Sequence, residues 1–156
     1  MAAPAENSRA ASLQAGLYKS FPIYEFVGLE VESASDGVCR CFVPHRPSNM
    51  NHISTIHAAI QWAASEVLGG LVMMSALEGL PFFAVVKNVS IDFKRPARTD
   101  VTTETLFGAD EAARFKADFE KNGEAEFSLH CVVRDEDGVE VAIAQGGYLA
   151  RKPREG

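Results

Sequence analysis

The sequence predicts an α+β domain in which one long apolar helix is wrapped by a curved antiparallel sheet of about six strands. The length of 156 residues suits a single domain, since most domains contain roughly 100 to 200 residues. One apolar window, residues 56–74, has the length of a helix and contains no lysine or arginine. The segments around it alternate in polarity or are rich in threonine, and turn residues separate them, which is typical of strands.

The chain before this window is predicted to form a short helix and two strands. Residues 8–20 could form the helix, which would end at Phe21-Pro22 because the residue before a proline avoids helical dihedral angles. The strands are expected near residues 26–34 and 37–43, joined by the turn signal Ser35-Asp36-Gly37.

The apolar window is predicted to be a central helix with an N-cap at Ser54 or Thr55, whose side chains offer an oxygen to the first free amides. At 100° per residue, apolar and small side chains share one face, and the opposite side adds Leu68 and Val72. A helix that is apolar almost all round is buried on nearly all sides. The residues assigned to the apolar face are Ile56, Ile60, Ala63, Val67, Gly70, Leu71 and Met74.

The chain after the helix is predicted to form four strands and a small surface helix. Asp110 could cap that helix, which would run through Lys121 before Asn122-Gly123. The strands are expected at residues 84–94, 101–107, 125–134 and 139–150, the last two forming a hairpin. In the first strand, alternation assigns one set of side chains to a single face: Val85, Val89, Ile91 and Phe93.

A six-stranded sheet that curls round one helix leaves an edge strand unpaired. Pairing of that edge with a second copy is the usual remedy and gives a symmetric dimer. We therefore expect a homodimer or a dimer of dimers. We assign residues 1–20 to an N-terminal extension with a short helix, and residues 21–152 to a single domain.

Charge and composition argue against several classes of function. A net charge of -6 and a pI of about 5.2 provide no basic stripe for the phosphates of nucleic acid. The window 56–74 carries too many polar side chains for a membrane span, and residues 1–21 lack the layout of a signal peptide. We expect a cytoplasmic protein that binds neither nucleic acid nor a membrane.

The cysteines and histidines give no metal-binding pattern. Cys39, Cys41 and Cys131 form neither a disulfide framework nor a C-x-x-C pair, and are interpreted as reduced, buried thiols. The histidines outside the predicted helix show no ligand spacing to one another. We therefore expect no metal and no cofactor.

Glu66 is the first candidate for chemistry, because it borders the apolar face of the predicted helix beside Trp62 and Ala63. A carboxylate in such surroundings must be paired, raised in pKa or open to a cavity. Carboxylates of this kind act as bases or nucleophiles. The alternative is that Glu66 only pairs with Lys87 or with a backbone group.

The start of the predicted helix is the second candidate. Free amides around Ala58 and Ala59 would favour negative charge, and Asn51 could add a donor to form an oxyanion hole. The alternative is that Asn49, Asn51 and Ser54 only stabilise the loop and cap the helix. Ala58 and Glu66 are eight residues apart, about 12 Å along a helix. A substrate that touches both would have to lie between two subunits whose helices run in opposite directions.

Other polar residues near these candidates carry weaker signals. His57 could contact a substrate, or it could be a hydrogen-bonded residue at a helix start. Lys87, Lys94 and Arg95 could bind the phosphates of a nucleotide-bearing ligand. The alternative for these cations is a solvated strand end.

The run from Asn51 through His57 to Ala59, followed by Glu66, resembles the N-x-x-G-T-x-H-G-G…D/E motif of hotdog-fold acyl-CoA thioesterases. It is most similar to the phenylacetate-pathway type and to a related branch of uncharacterised proteins. The stretch 89–97 resembles the strand and turn that follow the helix in that family. The resemblance covers almost the whole chain.

The resemblance implies a hotdog fold and hydrolysis of a thioester. Asn51 would contact the thioester carbonyl, and the Ala58 amide would complete the oxyanion hole. Glu66 of the partner subunit would activate water or attack directly. The residues expected to bind the substrate around them are His57, Ala59, Trp62, Val86 and Lys87.

The chain also departs from the family motif. Ala58 and Ala59 replace two glycines, Ser54 replaces the glycine before the threonine, and Val86 stands where some relatives have a serine that orients water. The leading hypothesis is an acyl-CoA or aryl-CoA thioesterase. A non-catalytic hotdog module that binds acyl-CoA or fatty acyl groups is the alternative. A hotdog hydratase or dehydratase ranks last, because the histidine and acid spacing of those enzymes is not found.

Overall fold

The computed structural model describes residues 4–35 and 38–154. The predicted turn at Asp36-Gly37 therefore lies outside the described residues. The elements confirm the predicted α+β fold, with one long helix and six strands. The helices are α1 (Pro4–Ser20), α2 (Pro22–Phe26), α3 (Ala58–Ala76) and α4 (Ala109–Asn122), and the strands are β1 (Glu30–Ser35), β2 (Val38–Val43), β3 (Phe83–Phe93), β4 (Val101–Leu106), β5 (Glu124–Asp135) and β6 (Glu140–Arg151).

The six strands form one antiparallel sheet in the order β1-β2-β4-β5-β6-β3. Helix α3 packs on one face of this sheet and buries Leu68, Leu71 and Val72 completely or nearly so. The prediction that the last four strands are antiparallel is confirmed. The sheet leaves β1 and β3 as its two edges.

The two edges are protected differently. Helix α1 packs along β1, and the side-chain carbonyl of Gln14 accepts a hydrogen bond of 2.8 Å from the Val31 amide. Strand β3 is exposed along most of its length, including the apolar side chains of Phe83, Val86 and Phe93. An exposed, apolar edge strand is a surface that proteins usually cover.

The region between α1 and β1 differs from the prediction. A strand was expected from residue 26, but the five-residue helix α2 occupies Pro22–Phe26 and the strand begins at Glu30. Pro22 is a favoured first residue for a helix because its φ is already helical. Gly28 then adopts a φ of 68°, which favours glycine, and turns the chain into β1.

The buried and exposed sides of α3 differ from the prediction. Gln61 and Ser65 are buried although they are polar, while Ala63 and Gly70 of the predicted face are half-buried. Trp62 is 38% exposed, so the expectation of burial on nearly all sides is wrong for a single chain. The curved sheet covers the side centred on Leu68 and leaves a strip of the helix uncovered.

A β-bulge in β3 interrupts the alternation that was predicted for that strand. The register with β6 shifts between Val86 and Asn88, so Val86 lies opposite Tyr148 and Val85 opposite Leu149. Tyr148 belongs to the core, so Val86 shares the sheet face that α3 covers. One extra residue reverses which face each side chain occupies, and the assignment of Val85 to the face of Val89 is therefore wrong.

Helix α4 begins two residues earlier than predicted. Its N-cap is Gly108 rather than Asp110, and the Gly108 amide donates to the Glu111 carboxylate at 2.9 Å. Gly123, with a φ of 75°, ends the helix as predicted. Because Phe115 and Phe119 are buried, α4 is part of the core as well as of the surface.

Candidate active site

The first residues of α3 form the polar end of the candidate site. The N-cap is His57, not Ser54 or Thr55 as predicted, and its ring Nδ1 accepts a hydrogen bond of 3.0 Å from the Ala59 amide. The His57 amide donates to the Asn49 carbonyl at 2.8 Å, which fixes the start of the helix. His57 has the extended backbone that is typical of an N-cap residue, with a φ of -60° and a ψ of 142°.

This cap changes which amides are available to a ligand. The Ala59 amide is occupied by His57. Within residues 4–35 and 38–154, the Ala58 amide has no acceptor, and Ala58 is exposed at the surface. Helix N-termini favour anions because their first amides are free and the dipole is positive there. Ala58 is thus the amide at this helix end that a developing oxyanion could use.

Asn51 lies in the loop before α3, and its side chain organises that loop. Its Oδ1 accepts from the amides of Ile53 at 3.0 Å and Thr55 at 3.1 Å, and its Nδ2 donates to the Thr55 hydroxyl at 2.8 Å. These are the loop contacts that the sequence left open as an alternative. An amide nitrogen carries two hydrogens, and the described residues accept only one of those on Asn51 Nδ2, so the second N–H could bind a ligand.

Ser54 occupies a backbone conformation that favours glycine. Its φ is 59°, in the left-handed region that side chains other than glycine rarely adopt. Its carbonyl contacts Nε2 of His45 at 2.9 Å. This conformation gives a physical reason for the glycine in the resembled motif, and it shows that serine supports the same loop.

A surface groove runs from the helix start to the segment after β3. Its volume is about 320 Å³, at the lower end of the range for small-molecule sites. Gln61 lies in its wall, 4% exposed, with an Oε1 atom that has no hydrogen-bond partner among the described residues. The polar and charged residues in this groove are Asn51, Thr55, Gln61, Lys94 and Arg95, and Ala58 lies with them.

The cations of this region divide into two groups. Lys94 and Arg95 are exposed beside the Ala58 end of the groove, and neither forms an ion pair with any residue that the structure describes. Lys87 lies elsewhere, in the β-bulge of β3, and pairs with Glu126 at 2.8 Å. The predicted alternative in which Lys87 neutralises Glu66 is therefore wrong.

Glu66 lies on α3, half-buried, two turns beyond Ala58. Its Oε2 accepts a hydrogen bond of 2.6 Å from the Tyr24 hydroxyl. Burial raises the pKa of the Glu66 carboxyl, and the hydrogen bond from Tyr24 lowers it in part. Burial and the neighbouring carboxylate raise the pKa of Tyr24, so its hydroxyl keeps its proton. The result is a carboxylate held without a positive partner in the described chain.

A role for Tyr24 in the site was not predicted from the sequence. The residue lies on α2, in a segment for which no helix was predicted. A five-residue helix is too short to show a hydrophobic period, and Tyr24 is 42 residues away from Glu66 in the chain. Pro22 followed by an apolar aromatic segment was the available signal.

Trp62 and Val86 lie on the same side of the molecule as Glu66. The Trp62 indole donates to the Val89 carbonyl of β3 at 3.1 Å, and Val86 is 40% exposed on the helix-facing side of that strand. The uncovered strip of α3, hereafter the open strip, joins exposed residues at its start to half-buried ones further along: Ala58, Ala59, Trp62, Ala63, Glu66 and Gly70.

The two ends of the site do not meet within one chain. Ala58 and Glu66 are on the same helix, separated by about 12 Å at 1.5 Å per residue. Catalytic contacts are roughly 3 Å long. One chain therefore presents the Glu66 carboxylate and the Ala58 amide at different places along the open strip.

No group of three or more His, Cys, Asp or Glu in residues 4–35 and 38–154 is arranged to hold a metal ion. The three cysteines are free and buried. None of the helices in that part of the chain is long and apolar enough to cross a bilayer.

Comparison with known proteins places the chain among hotdog-fold proteins. The family model described as a domain of unknown function (DUF4442) matches residues 9–147. A Pseudomonas aeruginosa structure described as a protein of unknown function, "Probable Thioesterase", is 26% identical, with a TM-score of 0.80 over 92% of this chain and 96% of that one. A thioesterase from Haemophilus influenzae shares the fold at 14% identity, with a TM-score of 0.67 over 85% of each chain.

A curated relative matches over a shorter region. A Halobacterium salinarum protein named "Putative esterase" is 32% identical over 87 residues, which are 53% of this chain and 57% of that protein. The match spans little more than half the length of this relative. The hotdog fold of thioesterase-superfamily proteins, predicted from the resemblance, is confirmed.

Proposed function

The chain belongs to the DUF4442 family, and from that premise we propose that it hydrolyses acyl-CoA or aryl-CoA thioesters, with Glu66 as the base or nucleophile. The observation that carries the proposal is the half-buried Glu66 carboxylate, which lies on the open strip without a cationic partner in the described chain. The names of the Pseudomonas and Halobacterium relatives agree with ester or thioester hydrolysis.

The groove at the start of α3 supports a CoA thioester as the substrate. The Ala58 amide would stabilise the negative charge that forms on the thioester carbonyl oxygen during attack. Asn51 would add the second donor through its free N–H. Lys94 and Arg95, exposed beside Ala58, would bind phosphate groups of the CoA moiety. His57 would cap the Ala59 amide and so hold the start of the helix that presents the Ala58 amide.

Glu66 fits the reacting end of the proposed site. Burial raises its pKa, and a carboxylate of raised pKa is a stronger base toward water. Trp62 and Val86 would line the acyl group beside it, since both are partly exposed on the open strip side. Lys87, paired with Glu126, would contribute at most to the rim of the substrate site.

We infer that the complete site lies between two copies of the chain. The length of helix between Ala58 and Glu66 supports this, because one substrate carbonyl cannot contact both from one subunit. Strand β3 is the edge that α1 does not cover, and its exposed side chains adjoin the open strip. Two copies joined there with antiparallel α3 helices would bring Glu66 of one to the Ala58 amide of the other.

The proposal is tested by following release of free thiol from a panel of acyl-CoA and aryl-CoA esters. The unmodified protein should turn over at least one of them, and Glu66→Gln should lose turnover by at least a hundredfold. Glutamine keeps the size of the side chain and removes its basicity. Circular dichroism and thermal unfolding of the variant should match those of the unmodified protein.

The alternative, a module that binds acyl-CoA without hydrolysis, gives a different result. It is favoured by the occupied Ala59 amide, which leaves fewer donors for an oxyanion. In that case acyl-CoA would raise the melting temperature while no thiol is released. Full activity in a folded Glu66→Gln protein would instead contradict the proposed role of Glu66, while the thioesterase function would stand.

A further inference from the structure

We propose that Tyr24 is a positioning residue of the candidate site, whose hydroxyl holds Oε2 of Glu66 and leaves Oε1 to act on the substrate. The inference rests on the proposed function, in which Glu66 is the reacting group. It gives the short helix α2, on which Tyr24 lies, a role in the site. The contact that motivates it is the 2.6 Å hydrogen bond between the two side chains.

The fold around α2 holds the Tyr24 ring firmly. Tyr24 is 8% exposed and belongs to the core. The ring of Phe21 packs edge-on against it, with centroids 6.1 Å apart. The Tyr24 amide donates to the Phe21 carbonyl at 3.1 Å, and its own carbonyl accepts from Leu29 at 3.0 Å. A residue fixed by both backbone and ring contacts presents its hydroxyl in one direction.

The hydrogen bond determines which Glu66 oxygen is available. Oε2 accepts from Tyr24, and no residue of the described chain donates to Oε1. A carboxylate with one oxygen held and the other free is oriented for a single task, because its rotation about the last side-chain bond is restricted. The carboxylate plane is thus set before a substrate arrives.

Apart from Tyr24, no described residue around Glu66 favours its ionised form. Tyr24 approaches from α2 and Tyr148 from β6, while Cys41 lies nearer to Tyr24 and Cys131 nearer to Tyr148. Burial raises the pKa of each of these four groups, so all are neutral near neutral pH. Among the described residues, Tyr24 alone offsets the effect of burial on the Glu66 carboxyl.

The pH dependence of catalysis follows from this balance. Glu66 must be ionised to act as base or nucleophile, so activity is lost as pH falls through its pKa. Removal of the Tyr24 hydroxyl takes away the contact that lowers this pKa and leaves the burial that raises it. The acidic limb of the activity profile should therefore move to higher pH.

The experiment compares Tyr24→Phe with Tyr18→Phe across the pH range. Tyr18 is a matched control, because its hydroxyl donates to the Leu29 carbonyl and has no contact with Glu66. In Tyr24→Phe we expect kcat for thiol release to fall about tenfold near neutral pH, KM to change little, and the acidic limb to shift upward. Tyr18→Phe should keep the limb of the unmodified protein.

A folded Tyr24→Phe protein with unchanged kcat and an unchanged acidic limb would overturn the inference. A second measurement does not require turnover: the pKa of Glu66 is followed by NMR of carboxyl-labelled glutamate, assigned with Glu66→Gln. A higher value in Tyr24→Phe than in Tyr18→Phe supports control of the carboxylate by Tyr24, and equal values overturn it. If the unmodified protein releases no thiol, the proposed function fails while this titration still decides the Tyr24 contact.

Discussion

Glu66 is held half-buried on α3 by a neutral phenol instead of a cation. A buried ion pair with lysine or arginine would lower the pKa of the carboxyl and weaken it as a base. A single hydrogen bond from Tyr24 offsets the effect of burial only in part, so the pKa of Glu66 stays raised. A raised pKa combined with a fixed orientation suits proton abstraction from water near neutral pH.

The Ala58 amide can be deleted without disturbing α3. Ala58 is the first residue after the N-cap, where proline is favoured and needs no N–H. His57 has the extended backbone that a residue before proline prefers, with a ψ of 142°. We predict that Ala58→Pro lowers kcat for thiol release by about a hundredfold, the usual cost of one oxyanion donor, and leaves thermal stability unchanged.

Ala58→Gly serves as the control for this substitution. It keeps the N–H and removes the methyl group, so it should retain thiol release. An Ala58→Pro protein with normal stability and the activity of Ala58→Gly would show that the helix amide takes no part in the reaction.

Only some residues of the candidate site could be predicted from the sequence. Glu66 could be identified because it is an acid in an apolar window, and Ala58 because helix starts carry free amides. The occupation of the Ala59 amide by His57 could not be predicted, since it depends on a side-chain rotamer. Tyr24 was missed because its contact depends on how α2 folds back onto α3.

The packing of α3 on β6 depends on one glycine of the helix. A Cβ on Gly69 would lie 2.1 Å from Cε1 of Tyr148, and Tyr148 is 1% exposed with its ring stacked on Phe127. The buried ring could move aside only by disturbing its stacking on Phe127. This contact brings α3 close to β6 about one turn beyond Glu66.

We predict that Gly69→Ala destabilises the protein by about 1–3 kcal/mol, the usual cost of overpacking a core. The matched control is Gly16→Ala in α1, where the added Cβ would meet Met74 at an ordinary distance of 3.6 Å. That change should stabilise the protein by about 0.4–1 kcal/mol, because alanine favours a helix. Urea unfolding at fixed protein concentration measures both; equal stabilities would contradict the close packing of Tyr148.

Most helices and strands were predicted from the sequence, and the exceptions are α2 and the bulge in β3. Helix α3 and strands β3 to β6 were found within one to two residues of their bounds, since their apolar patterns repeat. Helix α2 is too short to show a period, so its residues were taken as the start of β1. The bulge at Lys87 leaves no mark in the sequence pattern. It exchanges the sheet faces on which Val85 and Val86 lie, and this is seen only from the pairing of β3 with β6.

At the scale of the molecule, the two edges of the sheet account for the expected assembly. Helix α1 covers β1, and the described chain leaves β3 exposed next to the open strip of α3. Association through this surface would bury the apolar side chains of β3 and complete the site in one step. A site shared between two copies would let the Ala58 amide of one act with Glu66 of the other, although about 12 Å of helix separates the two residues within one chain.

The most direct test of a site shared between subunits combines two inactive variants in one dimer. Differently tagged Glu66→Gln and Ala58→Pro chains are co-expressed, the heterodimer is purified through both tags, and thiol release is measured beside each parent. The heterodimer contains one intact site and one doubly defective site, so about half of the unmodified activity should return. A purified heterodimer that is no more active than its parents would contradict the shared site.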